Sequence, residues 1–600
     1  LEFDLLRLEK RIDTVILTDR AILCLEFKTG EPTDAARAEA EDYALDLRDF
    51  HAGSRTHAIV PVLVAGAGSF QPPAQPWLFP KQPTDPLVTG AAGLTEMIVW
   101  VQEMIPVPPV PIDGAAWLTS PYRPVPTIVE AATMLYARNG VAEIAEARAD
   151  AANLTRTAGA IARHVAAAQR DGSRLVIFVT GIPGAGKTLC GLNAVFGQTR
   201  DDNRAFLTGN VPLVAVLRAA LSRDATQRKV CDRREAERRV KQALQNVHRF
   251  LEDGATDPNY LPPERLIVFD EAQRAWDEAK AKLGTRNKPS RLTASEPAHT
   301  LEIMGRRQGW AVIIALIGNG QEINTGEAGL REWGRVIAAD SRWRAVAARR
   351  VVDAAESSQR LAEEGTSWLT CDEELDLTVP MRSVRDRSGA AWVDAVLRGD
   401  LDAARTIAAS APELAYFVTR DATAWRQAIR HFARGRRRAG LVRSSGAKRL
   451  RAEGLAAEVE SGEVPDWFLR HWPDIRASDA LETAATEYAC QGLELDVVGL
   501  AWGGDFSQAS EGWRAWRFVG QAWQRDLKEY EFVRNTYRVL LTRARYETII
   551  WVPPGSPVDE PFHDRTRPAS RMDAIAAFLV ACGARPLPAL PPPLPALALL

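Results

Sequence analysis

The sequence is poor in the features that would tie a chain to a membrane, a disulfide framework or a polyanion. It has six cysteines in 600 residues. Cys24, Cys190, Cys231, Cys371, Cys490 and Cys582 lie far apart and form no C-x-x-C pair. That excludes a zinc ribbon and a disulfide scaffold, and makes a reducing cytoplasm the expected compartment. No apolar run approaches the roughly 20 residues of a membrane span, so no membrane partner is expected. No charged-then-apolar leader follows Leu1. An excess of one charge is also missing. Lys and Arg number 75 against 77 Asp and Glu, a net charge of −2. Any nucleic-acid contact must therefore come from local basic patches.

The rest is ordinary globular material. Hydrophobic residues make up 46% and charged residues 25%, enough for several cores. The length implies roughly three or four domains. The most informative stretch is 174–188. Residues 175–179 form a short unbroken apolar run, as in a parallel strand buried on both faces. Gly181, Gly186, Lys187 and Thr188 then complete the spacing G-x-x-x-x-G-K-[ST], with Pro183, Gly184 and Ala185 inside it. The glycines let backbone N–H groups converge on phosphate oxygens. Lys187 is spaced to reach β- and γ-phosphates, and the Thr188 hydroxyl to hold Mg²⁺. A helix from about 187 to 196 would point its positive end at the same anion. ATP and Mg²⁺ are the expected ligands.

A second apolar strand ends in Asp270 and Glu271, followed by Gln273. Acids at the carboxyl edge of a strand sit where α/β sheets bind ligands. Asp270 would hold the metal through water, and Glu271 would polarise the attacking water. Residues 310–317 read as another buried strand, running into Gln321, which is placed to sense the γ-phosphate. Residues 205–210 read as a strand and turn before a helix, and 228–249 as a charged, solvated helix. One such unit lacks a cation from across its cleft. Arg382 and Arg543 are the candidates to supply it.

At the N-terminus, residues 12–18 and 21–28 read as a hairpin with a tight turn at Asp19 and Arg20. If Thr18 pairs with Ala21, Asp13 falls opposite Glu26, and alternation puts Lys28 on the same face. Facing carboxylates destabilise a sheet unless a cation lies between them. Two carboxylates and a lysine on one face suit metal-dependent phosphodiester cleavage with Mg²⁺ or Mn²⁺. A helix over about 34–50 carries Glu39 and Tyr43. Residues 105–127 are proline-rich and read as a semi-rigid junction. Tyr122 or Arg123 there could stack on adenine or merely pack. Residues 141–170 read as a long helix. Arg434, Arg436, Arg437, Arg438, Arg443, Lys448, Arg449 and Arg451, with Ser444 and Ser445 among them, form the best candidate patch for phosphate contact. The 17 tryptophans could include stacking platforms for single strands. Residues 583–600, rich in Pro and Leu, read as a disordered tail.

Two resemblances follow from these residues. Asp13…Glu26-Phe27-Lys28 resembles the D…E-x-K core of the restriction-endonuclease-like, PD-(D/E)xK, nucleases. In their RecB-like branch the following helix bears Q-x-x-x-Y; this sequence keeps the tyrosine as Tyr43 but departs from the pattern with Glu39 in place of the glutamine. Gly181–Thr188, Asp270–Gln273, Gly320–Asn324, Thr486–Asp496 and Asn535–Arg545 together resemble a superfamily 1 helicase, more narrowly the Schlafen-group-3-like DNA/RNA helicase domain family. That second resemblance covers about 151–555. It implies an α/β fold with two RecA-like P-loop lobes, parallel sheets flanked by helices, at 151–370 and 371–570. It also implies that Glu494 contacts nucleotide and that Gln491 contacts a DNA or RNA track with a single-stranded segment. A nuclease-like domain at 1–104, a linker and lead-in helix at 105–150 and a terminal helix and tail at 571–600 complete the expected order. The whole is expected to be an ATP-dependent helicase or translocase fused to a nuclease-like domain, a pairing that suits repair or defence against foreign nucleic acid. The alternative is a nucleotide-switched interaction protein whose nuclease fold is inactive.

Overall fold

The computed structural model describes residues 2–5, 10–73, 83–122, 127–137, 151–181, 185–197, 203–288, 290–318, 329–354, 359–378, 384–411, 414–435 and 437–587. Pro183, Gly184, Gln321 and Arg382, all expected near nucleotide, lie outside them, as do Arg123 and Arg436. The fold is mixed α/β, with parallel sheets flanked by helices. Among the described residues, no helix is long and apolar enough to cross a membrane.

The N-terminal unit is built on β1 (Thr14–Leu17), β2 (Ala21–Lys28), β3 (Ala58–Ala65) and β4 (Leu87–Thr89). β1 and β2 form the expected hairpin, and the Thr18 amide donates to the Ala21 carbonyl at 3.0 Å. β2 then runs parallel to β3, and β3 to β4. Alternation along β2 divides the core. Ala21, Leu23 and Leu25 face α2 (Leu94–Met104), and Ile22 and Cys24 face α1 (Asp34–Phe50). Thr33 caps α1 by accepting from the Ala36 amide. Part of the proline-rich stretch packs back on this unit. Trp117 is buried against Val15 and Leu47, with its indole N–H on Ser54 Oγ at 2.9 Å. Tyr122 bonds Asp46 and rests its ring edge on Phe3, so it belongs to this core.

The middle unit follows α3 (Ala151–Asp171). Its parallel strands are β5 (Arg174–Gly181), β6 (Arg204–Thr208), β7 (Leu244–Asn246), β8 (Leu266–Phe269), β9 (Ala311–Gly318), β10 (Trp343–Ala347) and β11 (Leu369–Cys371). Across the sheet they run β11-β10-β5-β9-β8-β6-β7, with Asp376–Leu377 also pairing β5. The charged stretch 228–249 is not one solvated helix. The helix Arg233–Ala243 stops at Leu244, which is fully buried and starts the edge strand β7. Burying one leucine against Phe206 outweighs the helical preference of its charged neighbours.

The C-terminal unit repeats the pattern. Strands β12 (Tyr416–Thr419), β13 (Ala439–Arg443), β14 (Ala484–Ala485), β15 (Leu495–Ala501), β16 (Ala544–Trp551) and β17 (Arg585–Pro586) lie in the parallel order β14-β13-β15-β16-β12-β17. The start of the expected tail is thus an edge strand, and the Leu587 amide donates to the Val418 carbonyl at 2.9 Å. Residues 588–600 lie outside the described residues.

A helix can lie this close to the middle sheet only where its side chains are small. In α4 (Lys187–Phe196), a Cβ at Gly191 would lie 2.8 Å from Leu316 and Val268 and 3.0 Å from Phe206. Gly191→Val is expected to destabilise the chain by about 1–3 kcal/mol through overpacking, read as a lower denaturant midpoint.

Candidate nucleotide and carboxylate sites

The sheet of the middle unit brings three sequence-predicted groups together at its carboxyl edge. β5 ends in Gly181, where a Cβ would lie 2.7 Å from Leu377 Cβ. Gly186 has φ +90 and starts α4, a backbone turn that favours glycine. Lys187 leads that helix, and its Nζ donates to the Gly181 carbonyl at 2.8 Å. Burial holds the Lys187 ammonium below the ordinary lysine range, while Glu271 and Asp270 pull it up. Ala185 is buried beside them and Thr188 is half-buried on the first turn.

Asp270 follows β8, with its amide on the Leu207 carbonyl at 2.8 Å and its carboxylate accepting from the Thr208 side chain. Burial, then the charge of Glu271, pushes its carboxyl up to about 7. Glu271 adopts φ +52, ψ +44, a left-handed conformation rare outside glycine. Gln273 secures that turn. It donates to Glu271 and accepts from the Gly318 amide at 3.0 Å. A Cβ at Gly318 would fall 2.9 Å from a Glu271 oxygen. Trp333, fully buried, ties the turn from behind through a 2.9 Å bond to the Ala272 carbonyl. Gln273 stands in the sequence motif that begins at Asp270, whereas Thr208 and Gly318 carry no local signal as site residues.

The groups on the C-terminal unit are placed differently. Arg543 donates to the carbonyls of Val539 at 2.9 Å and Leu493 at 3.2 Å, so it is held by its own unit. Gln491 and Glu494 are half-buried in the same loop. That loop touches the middle unit. Asn210, which caps the helix Val211–Gln227, donates from its side chain to the Gln491 carbonyl at 2.8 Å. Next to it Gly492 has φ +75, and a Cβ there would sit 2.3 Å from Asn210 Nδ2.

Most of the described arginines of the basic run have acidic partners. Arg443 is fully buried against Glu458, and Ser444 donates to the buried Asp505 at 2.6 Å. Arg449 pairs with Asp564, and Arg451 lies 3.3 Å from Glu458. Arg434 and Arg437 reach acids of the N-terminal unit. Lys448 is exposed. Acids distant in sequence pair with Arg434, Arg437 and Arg449, and Glu458 just past the run pairs with Arg443 and Arg451.

In the N-terminal unit the hairpin has the expected register, but its ladder ends at Thr14 and Leu25, and Asp13 stands at a bend just beyond it, toward Glu26. Asp13 accepts from the Phe27 amide at 3.0 Å. Lys28 Nζ lies 2.6 Å from Glu26 and 3.0 Å from Glu39, and the Tyr43 hydroxyl donates to Glu39 at 3.2 Å. Burial pushes the Glu26 carboxyl up, against the pull of Lys28. Its hydrogen bonds to Glu26 and Glu39 hold Lys28 above the ordinary lysine range. Glu26 Oε2 is buried with no hydrogen-bond partner, so it is the atom best suited to a cation. Among the described residues, no three His, Cys, Asp or Glu side chains converge as a metal-ligand set. A cation here would therefore need donors from substrate or water beyond Glu26 and Asp13.

Stability should respond to Asp270. The folded carboxyl keeps its proton up to about pH 7, against an ordinary value of 3.8. Between those values only the folded chain holds the proton, so stability falls as the pH rises, and above 7 the buried charge is a constant penalty. Asp270→Asn is expected to raise the melting temperature of the nucleotide-free protein at pH 8. ATP with Mg²⁺ should then no longer raise it further.

Comparison with curated proteins gives no match. Residues 174–554 match the family described as Schlafen group 3, DNA/RNA helicase domain. That span runs from the first strand of the middle unit to just past β16. It is more than half of the chain, and the protein belongs to the Schlafen group 3, DNA/RNA helicase domain family.

Proposed function

We propose that the chain is an ATP-driven motor on DNA or RNA with a single-stranded segment, built from two RecA-like lobes and carrying a metal-dependent nuclease domain at its N-terminus. The observation that carries the motor is the convergence of Lys187, Asp270 and Glu271 at one sheet edge, within the span matched to the helicase family.

The residues divide the chemistry. Backbone amides at the start of α4, with those of the 181–188 stretch, would bind the phosphates. Lys187 exchanges its bond to the Gly181 carbonyl for phosphate oxygens. Thr188 and Asp270 would hold Mg²⁺, which when bound draws charge from the phosphates. Glu271 orients the attacking water and takes its proton. Gln273 fixes the Glu271 carboxylate and, through the Gly318 amide, ties it to the segment bearing Gln321. Arg543, Arg382 and Glu494 would engage the nucleotide when the C-terminal unit closes, releasing the Arg543 bonds to Val539 and Leu493. The Asn210 contact to Gln491 is where one unit reads the position of the other. In the N-terminal unit, Asp13 and Glu26 would hold Mg²⁺ or Mn²⁺, and Lys28 would stabilise developing charge.

A second reading concerns the N-terminal unit alone. Asp13 is already engaged by the Phe27 amide, and Lys28 already offsets Glu26, which favours a unit that docks nucleic acid without cutting it.

Hydrolysis with and without single-stranded DNA and RNA tests the motor. One polymer is expected to stimulate it strongly, and Lys187→Ala to lower it by at least about a hundredfold. Hydrolysis indifferent to both polymers would instead indicate a nucleotide-switched interaction protein. Gel analysis of the same reactions with Mg²⁺ or Mn²⁺ tests the nuclease. Cleavage is expected to disappear in Glu26→Gln, and an uncut polymer with wild-type protein selects the docking reading.

A further inference from the structure

The helix that carries Glu39 and Tyr43 has a second face, and the C-terminal unit grips it. α1 turns Tyr43, Ala44 and Leu47 toward the N-terminal sheet. On its other side, Glu41, Asp42, Leu45 and Asp49 meet the loop leading into β13. Arg434 pairs with Glu41 and also donates to the carbonyls of Pro83, at 2.6 Å, and Thr84. One side chain thus clips α1 to the segment before β4. The Gly435 amide donates to Glu41 at 2.9 Å. Gly435 has φ +62, and a Cβ there would lie 2.2 Å from an Asp42 oxygen. Arg437 donates to Asp49 at 2.6 Å, stands 3.5 Å from Glu547 and lies 4.2 Å from the Tyr546 ring centre. Arg437 and Asp49 are only 6% and 4% exposed.

The far end of this contact reaches the proposed nucleotide side. Tyr546 and Glu547 lie on β16, three and four residues beyond Arg543. Arg545 on the same strand pairs with Asp496 at 3.2 Å, and Asp496 also accepts from the Arg438 amide at 2.8 Å. Asp496 follows the Gln491–Glu494 loop that Asn210 holds. Buried ion pairs are costly to break from one side. These contacts join Arg434, Gly435, Arg437 and Arg438 to the start of β15, the start of β16 and α1.

We infer that Arg437, with Arg434, is a positioning residue for the N-terminal carboxylate centre: displacement of the C-terminal unit on nucleotide binding is carried through α1 to Glu39 and Tyr43, and so to the lysine that neutralises Glu26. Lys28 bridges Glu39 and Glu26, so moving α1 changes how much of the cation Glu26 retains. The inference rests on the proposed nucleotide and nuclease sites, but its first step is readable without cleavage.

The test uses the full chain and two readouts. Hydrogen exchange of the α1 amides is compared without nucleotide and with ADP–beryllofluoride and Mg²⁺. Cleavage of a single-stranded polymer with Mn²⁺ is compared under the same conditions. Nucleotide is expected to change α1 exchange by about fivefold in the wild type. Arg437→Met should abolish that response and the nucleotide dependence of cleavage while leaving polymer-free ATP hydrolysis intact, and Arg437→Lys should restore part of both. An α1 exchange rate indifferent to bound nucleotide in the wild type overturns the coupling, as does a response that survives Arg437→Met. If the wild type binds nucleotide and cuts nothing, the nuclease reading fails, and the exchange response alone decides the coupling. Should Arg437→Met not fold, Asp49→Asn, which keeps a hydrogen-bond acceptor but loses the charge, carries the same comparison.

Discussion

A carboxylate buried at the end of a hydrophobic strand is unstable until a cation reaches it. The chain places such a carboxylate at two strand ends, each with a lysine close by in sequence or space. Asp270 follows the buried run of β8 and feels Lys187. Glu26 closes the buried run of β2 and binds Lys28. In both places the lysine leaves the demand for positive charge partly unmet, as the raised carboxyls of Asp270 and Glu26 show. The surrounding structure maintains these groups. Trp333 and Gln273 hold the Glu271 turn, and Tyr43 and Glu39 hold Lys28. Stability is given up locally at the positions proposed for chemistry, which is how such sites come to favour a bound cation or phosphate.

Arginine has a different use in this molecule. The run at 434–451 is the densest basic stretch on the C-terminal unit, yet its guanidinium groups point mostly inward or to other units. Arg443 lies on a fully buried strand with Glu458 as its counter-ion. Arg434 and Arg437 join the C-terminal unit to α1. A planar guanidinium with several donors can bridge elements that a lysine would only touch. These arginines work as internal fasteners, which explains why a chain with a net charge of −2 can carry so concentrated a basic segment.

Legibility followed the range of the interaction. The hairpin register from Thr14–Leu25 to Leu17–Ile22 depends on a tight turn and strict alternation, and it was readable. The strand before Gly181, the strand before Asp270 and the helix after Gly186 follow from short apolar runs and glycine placement, and they stand close to their expected bounds. The edge strand Leu244–Asn246 was hidden in a charged stretch because its partner is Phe206–Thr208, almost forty residues earlier. The short strand at Arg585–Pro586 was hidden for a similar reason, since it pairs with Phe417–Val418. The fate of the basic run depended on acids at 41, 49 and 564, far outside any local window, together with Glu458 just past its end.

The sequence by itself therefore determined the phosphate-loop spacing, the acids at the end of the following strand and the hairpin register from Thr14 to Leu25, because each is set by neighbours within a strand or a turn. Only the tertiary structure decided where charge is spent. It turned Arg543 onto the carbonyls of Val539 and Leu493, set Asn210 against Gln491 and fastened α1 to the C-terminal unit through Arg434 and Arg437. Coulomb interactions select partners by distance in space and by burial, and neither is written in the order of residues along the chain.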